Sequence, residues 1–491
     1  MRNLSGFLAT GALLGCSMAN AQFGRGGNDW GTSGGDAHRS SWVRTDPKIS
    51  KAGIEKGGFE FLWKMKINSN APSTMVLMDR YIGYRGFRSM GYIGGSSDQV
   101  VAFDTDLGRI EWQKKIGSGP MAGNGNCPGG MTSNLARTST LAFPAGGGNQ
   151  GFGGGRGGPA KSGVGEPDQG AITIPAASQS QPPAGPQRPP QPAGGRPRRM
   201  PNYVYALSSD GLFHSMYVSN GEEPKPGVPF LPAKANASGL IVIDEVAYAA
   251  TSQGCGGVDD GVWALDIASG KVSNWKSTSG GVVGAAGPAF GPDGTVYAAT
   301  AKGDLVALDG QNLKVKGTYS SGQELTSSPL LFQSKGKTMI AVTSKDGDLH
   351  ILDSSSLSSS VSNTPVGAAG AISSWQDGSG TRWILATTIA GVGAWKMKED
   401  GSLEKGWTSR EMISPLTPSI INGVIFAAAG GNRNTLAVLY ALDATTGKEL
   451  WTSGKTITSF AKGLGISGAG SQVYISSYDG TVYAFGYPLE H

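Results

Sequence analysis

Apolar residues occur along this chain in short runs that alternate with small or polar residues and end at glycine, asparagine or aspartate turns. The stretch from Val438 to Trp451 contains an apolar strand, a tight turn at Asp443 and Gly447, and a second short strand. This pattern predicts a β-hairpin. A helical solenoid is disfavoured, because 79 of the 491 residues are glycine and no segment keeps apolar residues at helical spacing for long.

The hairpin pattern recurs along most of the chain. Copies start at Val100, Val262, Leu305, Leu349, Leu439 and Val482, with looser copies at Leu212 and Val392. Intervals of 43 or 44 residues separate the copies from Val262 to Leu349, and also the last two copies. Between copies lie further short strands joined by a Gly or Asn turn. Four short strands per period are typical of a β-propeller, so the sequence predicts an all-β fold of four-stranded blades.

The two ends of the repeat array are complementary. The segment from Phe61 to Ile67 carries the outer-strand tryptophan, Trp63, but no strand of the repeat precedes it. The last copy, from Val482 to Tyr487, has no outer strand after it. We therefore expect the N-terminal strand to complete the last blade and close the ring, which removes its free edges. Counting the copies in this way predicts eight blades.

The N-terminus has the features of an export signal. An apolar run from Phe7 to Leu14 is too short to span a membrane, and Ala19-Asn20-Ala21 predicts cleavage after residue 21. An alternative is a lipobox that ends at Cys16, in which case Cys16 would be lipidated and would become the N-terminus. Both alternatives predict export to the periplasm, and the second adds an anchor in the outer membrane.

These features divide the chain into five segments. They are a signal peptide (1–21), a lead-in segment (22–57), the closing strand with the first blade and the start of the second (58–144), an insertion (145–200), and the rest of the propeller (201–491). The insertion is rich in Gly, Pro, Gln and Ser, which predicts a solvated, disordered segment, with a tether for a partner as the alternative.

The net charge of +5 does not belong to the predicted propeller. The insertion carries six Lys or Arg residues against two Asp or Glu, and Arg2 of the signal supplies the remaining charge. The propeller itself is therefore close to neutral, which gives no support to a nucleic-acid partner.

The tryptophans of the repeats are interpreted as packing residues. Large aromatic side chains fill the space between blades toward the rim, where the blades diverge, while small residues suit the crowded axis. The tryptophans expected to pack in this way are Trp63, Trp112, Trp263, Trp275, Trp407 and Trp451.

Two cysteines remain after the signal. Cys127 lies in the loop from the first blade to the second, and Cys255 lies between the middle strands of the third blade. Loops of these two kinds open on the same face of a propeller. Two alternatives stay open: a disulfide worth about 4 kcal/mol if it is unstrained, or two free thiols too far apart to bridge.

Other candidate ligands are scattered. The histidines, expected to be core or surface residues rather than a shared metal site, are His38, His214, His350 and His491. Asp259 and Asp260 lie in a Gly-rich loop, where a weak Ca²⁺ site is one alternative and solvated carboxylates are the other. No catalytic or metal-binding residue is assigned from these patterns.

The residues of the repeat carry a specific family resemblance. The strand Tyr440-Ala-Leu-Asp443, the Thr-Gly-Lys turn and Trp451 resemble the repeat of the pyrroloquinoline-quinone-type (PQQ-like) propeller superfamily. The opening segment, with Trp30, Gly34-Gly35-Asp36 and Arg39 before the closing strand, is similar to the lead-in of quinoprotein dehydrogenases. The resemblance covers the mature chain except for the insertion.

The superfamily implies two functional classes. One is the non-catalytic propeller, such as the lipoprotein subunit of the outer-membrane β-barrel assembly machine, which serves as a scaffold for protein contacts. The other is the quinoprotein dehydrogenase, which oxidises an alcohol or sugar with pyrroloquinoline quinone and Ca²⁺ over the propeller axis. This sequence has neither the adjacent cysteine pair of the alcohol-oxidising members nor a Cys-x-x-Cys-His haem site. A monomeric scaffold in the cell envelope, with a protein partner and no cofactor, is therefore favoured, and the dehydrogenase is the alternative.

Overall fold

The computed structural model describes residues 29–83, 86–143, 202–463 and 465–488. The strands before and within the first blade are β1 (Trp42–Val43), β2 (Glu60–Lys66), β3 (Val76–Gly83), β4 (Gly86–Gly95), β5 (Gln99–Asp104) and β6 (Arg109–Lys115). The strands of blades two and three are β7 (Tyr203–Leu207), β8 (Leu212–Tyr217), β9 (Val228–Pro229), β10 (Ala237–Ile243), β11 (Val246–Thr251), β12 (Gly261–Asp266) and β13 (Val272–Lys276).

The remaining blades follow without interruption. The strands of blades four and five are β14 (Ala289–Phe290), β15 (Val296–Ala299), β16 (Asp304–Leu308), β17 (Val315–Ser320), β18 (Leu330–Ser334), β19 (Lys337–Thr343), β20 (Asp348–Asp353) and β21 (Ser362–Pro365). Those of blades six to eight are β22 (Ala368–Gln376), β23 (Arg382–Thr388), β24 (Gly391–Met397), β25 (Leu403–Thr408), β26 (Ser419–Ile421), β27 (Val424–Ala429), β28 (Val438–Asp443), β29 (Glu449–Thr452), β30 (Ser467–Ala469), β31 (Gln472–Ser476) and β32 (Thr481–Gly486). One α-helix, α1 (Lys51–Lys56), and a 3₁₀ turn (Cys255–Gly257) complete the described elements.

The sheets confirm the predicted eight-bladed propeller. Each blade is an antiparallel meander, as in β3-β4-β5-β6, and in blade two the inner position beside β7 is taken by an antiparallel bridge from Ala136 to Tyr205. The last sheet has the order β2-β32-β31-β30, so the N-terminal strand closes the ring as predicted, with Trp63 opposite Ala484. Among the described residues, no helix is long and apolar enough to cross a membrane.

The turn of the repeat explains why its aspartate and glycine recur. In blade seven, Oδ1 of Asp443 accepts a hydrogen bond from the amide of Thr445 at 2.8 Å, and the amide of Gly447 donates to the carbonyl of Asp443 at 2.8 Å. Gly447 has a φ of +72°, and a Cβ there would lie 2.5 Å from the ring of Trp407 in the preceding blade. Only glycine fits this left-handed, crowded position.

Three of the predicted packing tryptophans share this contact across a blade boundary. The indole N–H groups of Trp63, Trp112 and Trp407 donate to backbone carbonyls of the next blade at 2.9, 3.0 and 3.1 Å. Each ring lies against a turn glycine of that blade. The outer strand of one blade is therefore packed onto the turn of the next.

The other three tryptophans lie differently. Trp451 packs edge-on against Phe59 and Phe485, and Trp275 lies against the apolar cluster between blades three and four. The indole N–H of Trp263 donates to Thr251 within its own blade at 3.0 Å.

The lead-in segment from Trp30 to Asp46 passes along the inner strands of all the blades. It bonds in turn to blades one to eight, through Trp30 to Leu77, Gly31 to Arg137, Thr32 to Leu240, Ala37 to Phe290, His38 to Leu331, Ser40 to Ser374, Ser41 to Ile420, and Asp46 to Ser471. Because inner strands surround the axis of a propeller, this segment fills the axial channel.

Two faces of the ring follow from the strand order. The connection face carries the loops between second and third strands and the loops between successive blades. The turn face carries the two other turns of each blade. The lead-in leaves the channel toward the turn face, because Asp46 binds the amide and hydroxyl of Ser471 in the first turn of blade eight.

An ion pair fixes α1 to blade seven and gives a pH-dependent stability. Lys51 Nζ lies 2.5 Å from Oδ2 of the buried Asp443. Burial opposes ionisation of this carboxyl, but hydrogen bonds from Lys51 and Thr445 outweigh it and lower its pKa to about 2. The folded pKa is below the unfolded value, so the stabilisation is present above pH ~4 and is lost as the pH falls through the folded pKa.

We expect Asp443→Asn to lower the free energy of unfolding by about 2 kcal/mol at pH 7. Asparagine keeps the Oδ1 acceptor of the turn and removes only the charge. The variant should also lose stability less steeply than the wild type between about pH 4 and 2. Urea unfolding over that range measures both effects, and an unchanged acid slope would contradict the assignment. Asp400→Asn, at an exposed turn, is the matched control.

Candidate functional site

Exposed apolar side chains gather on the connection face of blades six to eight. Ile389 is 90% exposed in the loop between β23 and β24, and Ile413 is 47% exposed in the loop from blade six to blade seven. Leu436, 47% exposed, lies in the loop between β27 and β28 of blade seven, and Tyr478, 40% exposed, lies in the loop between β31 and β32 of blade eight. We call these four residues the apolar patch. Exposed apolar side chains grouped on one face are typical of an interaction site.

Backbone hydrogen bonds join the loops that carry the patch. The amide of Met412 donates to Ala390 at 3.1 Å, and the amide of Gly431 donates to Ile413 at 3.0 Å. The amide of Tyr478 donates to Phe460 at 2.8 Å, and the two rings stack with centroids 4.8 Å apart. The amide of Ala461 donates to Gly430 at 2.8 Å, so backbone hydrogen bonds link the patch-bearing loops of three consecutive blades on one face.

Charged residues lie in the connection-face loops of blades six to eight. Arg433 is exposed in the loop of Leu436, Lys455 and Lys462 are exposed in the loop from blade seven to blade eight, and Glu411 is exposed in the loop of Ile413. Arg410 is already paired with Glu449 at 3.1 Å, and Asp479, next to Tyr478, with Lys66 at 3.1 Å. No pattern in the sequence predicted this surface. Its one sequence signal is a large apolar residue inside a Gly-rich or polar loop, as at Ile389 and Leu436.

Two serine and histidine pairs resemble hydrolytic sites but are buried. In blade two, Ser208 Oγ lies 3.0 Å from His214 Nε2, and His214 Nδ1 lies 2.9 Å from Glu223. Burial opposes ionisation of Glu223, but hydrogen bonds from Lys114 and His214 outweigh it and hold its pKa below the usual value. Ser208 and His214 are each 3% exposed.

The same arrangement recurs in blade five, where Ser344 Oγ lies 2.7 Å from His350 Nε2. Ser208 and Ser344 each also donate to the aspartate two residues later, at 2.5 Å. Blade eight repeats this serine–aspartate contact, at 2.5 Å, with Tyr483 in place of the histidine. The pairs therefore belong to the loop between the second and third strands, which recurs from blade to blade, and they stabilise this loop. Their burial keeps a substrate from the hydroxyl group.

The remaining predicted residues lie apart from one another. His38 is in the axial channel, where its ring stacks on Phe143 at 3.8 Å. Asp259 pairs with Lys276 at 2.6 Å, and Oδ1 of Asp260 accepts from the amide of Gly254 at 2.8 Å. Both carboxylates of the suggested Ca²⁺ loop thus have partners. Cys16, His491 and the insertion 145–200 lie outside the described residues.

The structure joins Cys127 and Cys255 by a disulfide on the connection face, with Cα atoms 5.6 Å apart. The disulfide links the loop between blades one and two to the loop between β11 and β12 of blade three. Cys255 is 1% exposed. Cys127 is partly exposed, so the bond links a buried cysteine to one nearer the surface.

No cluster of acidic, histidine or cysteine side chains marks a Ca²⁺ site among the described residues. A Ca²⁺ ion takes six to eight oxygen ligands from carboxylates, carbonyls and water. Within the described ranges, no three His, Cys, Asp or Glu side chains come close enough to hold one metal ion.

Known proteins match this chain through the propeller. The sequence profile of a family described as outer membrane protein assembly factor BamB matches residues 260–487. Among curated protein sequences, none matches the chain.

Solved propellers of both functional classes are similar in fold. BamB from Moraxella catarrhalis has a TM-score of 0.53 and 12% identity, over 89% of this chain and 99% of that one. A quinohemoprotein alcohol dehydrogenase from Comamonas testosteroni has a TM-score of 0.56 and 14% identity, over 94% and 81%. Another, ADHIIG from Pseudomonas putida HK5, has a TM-score of 0.60 and 11% identity, over 95% and 81%. At these identities the likeness shows the fold alone. With its repeats, its blade closure and these matches, the chain is an eight-bladed β-propeller with PQQ-like repeats, whose residues 260–487 match the BamB family profile and whose fold is similar to those of BamB and of quinohemoprotein alcohol dehydrogenases.

Proposed function

We propose that this chain is a non-catalytic protein-interaction scaffold of the bacterial cell envelope, exported by its N-terminal signal. The observation that carries the proposal is the apolar patch on the connection face of blades six to eight. The side chain of Ile389 is 90% exposed, so it buries almost no apolar surface within the propeller. Its burial against a partner would contribute about 1.5–3 kcal/mol.

The charges around the patch indicate the chemistry of the partner. Arg433, Lys455 and Lys462 are exposed in the loop of blade seven and in the loop that follows it on the same face, and Glu411 is the opposing charge among these loops. A complementary partner is a protein segment with apolar side chains flanked by acidic residues. The basic rim would speed and orient its association, while the apolar contacts would supply most of the affinity.

Similarity to BamB is consistent with this proposal, since the matching family is described as an assembly factor of outer membrane proteins. The quinoprotein dehydrogenase is the alternative, since propellers with that activity share the fold. The buried serine–histidine pairs and the scattered carboxylates offer no reactive group at the surface among the described residues. The scaffold is therefore the function that the geometry supports best.

We expect Ile389→Asp and Leu436→Asp each to weaken binding of the envelope partner by about 10- to 100-fold, because each removes apolar burial and places a charge in the interface. The partner is first identified by cross-linking in the source cells and then purified. Its affinity for the wild type and the variants is measured by titration calorimetry. Circular dichroism should show the same folded content in all of them, because both side chains are exposed.

The matched control is Leu107→Asp. Leu107 is 60% exposed and lies in an outer turn of blade one, on the turn face. Binding unchanged by the patch variants, or weakened equally by Leu107→Asp, would contradict this surface. Tight binding of pyrroloquinoline quinone with Ca²⁺, together with dye-linked oxidation of an alcohol or sugar, would overturn the scaffold itself.

A further inference from the structure

Two arginines flank one indole where the lead-in leaves the axial channel on the turn face. The guanidinium carbon of Arg44 lies 4.0 Å from the ring centroid of Trp42, and that of Arg382 lies 5.5 Å from the same centroid. Trp42 belongs to β1 beside blade seven, and Arg382 begins the second strand of blade six. The indole holds both cations close to one point of the channel mouth.

Both guanidinium groups have unused buried donors. The Nε atoms of Arg44 and Arg382 are buried without a hydrogen-bond partner. Arg382 is only 8% exposed, and its other nitrogens donate to Gln333 at 3.0 Å and weakly to Ser374 at 3.5 Å. Buried polar groups of proteins are nearly always paired, so two orphan donors of like charge at one place call for an acceptor.

No carboxylate forms an ion pair with either arginine among the residues that the structure describes. The charge of Asp36 attracts Arg44, but the oxygens of Asp36 already accept from the amides of His38 and Ser40 and from the Ser40 hydroxyl. Burial lowers the pKa of Arg382 to about 10, and the charge of Arg44 adds to this effect. The two cations therefore repel each other, and no described carboxylate forms an ion pair with either of them.

We propose that Trp42, Arg44 and Arg382 form a binding site for a small anion with a carboxylate or phosphate group. Guanidinium groups offer such an anion paired N–H donors in the geometry that its oxygens need. Arg44 and Trp42 are partly exposed, so the ligand enters from solvent at the turn face. The site lies on the opposite face from the apolar patch and does not depend on the proposed function.

The test is calorimetric titration of the full mature chain with inorganic phosphate and, separately, with citrate, at constant ionic strength. We expect the wild type to bind at least one of them with a dissociation constant near ~1 mM or below, and Arg44→Gln to weaken binding about tenfold or more. The tighter of the two probes identifies phosphate or carboxylate as the preferred group. A change in tryptophan emission on binding, absent in Trp42→Phe, would locate the ligand at the indole.

The matched control is Arg109→Gln, an exposed arginine of blade one outside both proposed sites, which should bind as the wild type does. Arg382→Gln should match Arg44→Gln if it folds. Because Arg44 is partly exposed, we expect Arg44→Gln to fold, so its anion binding can be measured whether or not Arg382→Gln folds. No binding of either probe by the wild type at about 10 mM, or equal binding by wild type and Arg44→Gln, would overturn the site.

Discussion

Arg39→Met is expected to lower the free energy of unfolding by about 4 kcal/mol. Arg39 is 3% exposed inside the axial channel, and its guanidinium donates to the carbonyls of Pro288 at 2.9 Å, Ser33 at 2.7 Å and Gly239 at 3.1 Å. Removing it leaves these acceptors buried without a donor. One side chain thus fastens the lead-in to the inner strands of blades three and four.

The expected loss is the balance of two opposing effects. Burial disfavours the charged form and lowers the pKa of Arg39 to about 9, against the attraction of Asp36. Methionine would avoid this cost, but it cannot supply hydrogen bonds to the carbonyls of two blades and of the lead-in. Charge-assisted bonds each contribute about 1.5–3 kcal/mol, so the loss of several outweighs the saving.

Guanidinium chloride unfolding, followed by circular dichroism, measures the effect as a lower midpoint. Arg433→Met is the matched control, because Arg433 is exposed, and it should stay within about 0.5 kcal/mol of the wild type. An Arg39→Met protein within about 1 kcal/mol of the wild type would show that the lead-in is not fastened by this side chain.

The blades were predictable because their information is local. In blades one and seven, for example, an aspartate and a glycine occur at the same distances before a tryptophan, and turn chemistry and packing follow from that spacing. The closing strand was predictable too, because the last repeat lacks an outer strand and the N-terminal segment has an outer strand without a repeat before it. Trp63 marked the missing outer strand of blade eight.

The path of the lead-in was not predictable from local patterns. Its polar residues, such as Thr32, Arg39 and Ser40, look like those of a surface loop, yet they bond to backbone groups more than 200 residues away. Their partners are carbonyls and amides, which leave no mark in the sequence. The buried position of Arg39 is therefore a property of the closed ring.

The apolar patch was missed for a related reason. Ile389, Ile413, Leu436 and Tyr478 lie in loops of different length and type, so no period links them. They share one face of the ring only because three consecutive blades present their connection loops there. The anion site is similar, since Arg44 and Arg382 are joined only by the indole between them.

The Cys127–Cys255 disulfide is expected to stabilise the chain by about 4 kcal/mol. The two residues are 128 positions apart, and they lie in loops of the connection face. Closing a loop of this length restricts the unfolded chain much more than the folded one. Replacing both cysteines by serine should therefore lower the unfolding midpoint, and reduced wild type should unfold at the same denaturant concentration as the variant.

Proteolysis gives a second measurement that does not depend on stability. The insertion 145–200 lies between the two cysteines and contains Arg156, Lys161 and Arg199, none of which precedes a proline, so trypsin can cut after each of them. The cut protein is then separated by denaturing gel electrophoresis with and without reductant. If the disulfide forms, the wild type should give one band without reductant and two bands with it. The double serine variant should give two bands in both conditions. Two free thiols in the non-reduced mature protein, found by mass spectrometry, would contradict the bridge. Equal midpoints for oxidised and reduced wild type would contradict its stabilising role, since the entropy of a long closed loop has no effect unless the bond is made.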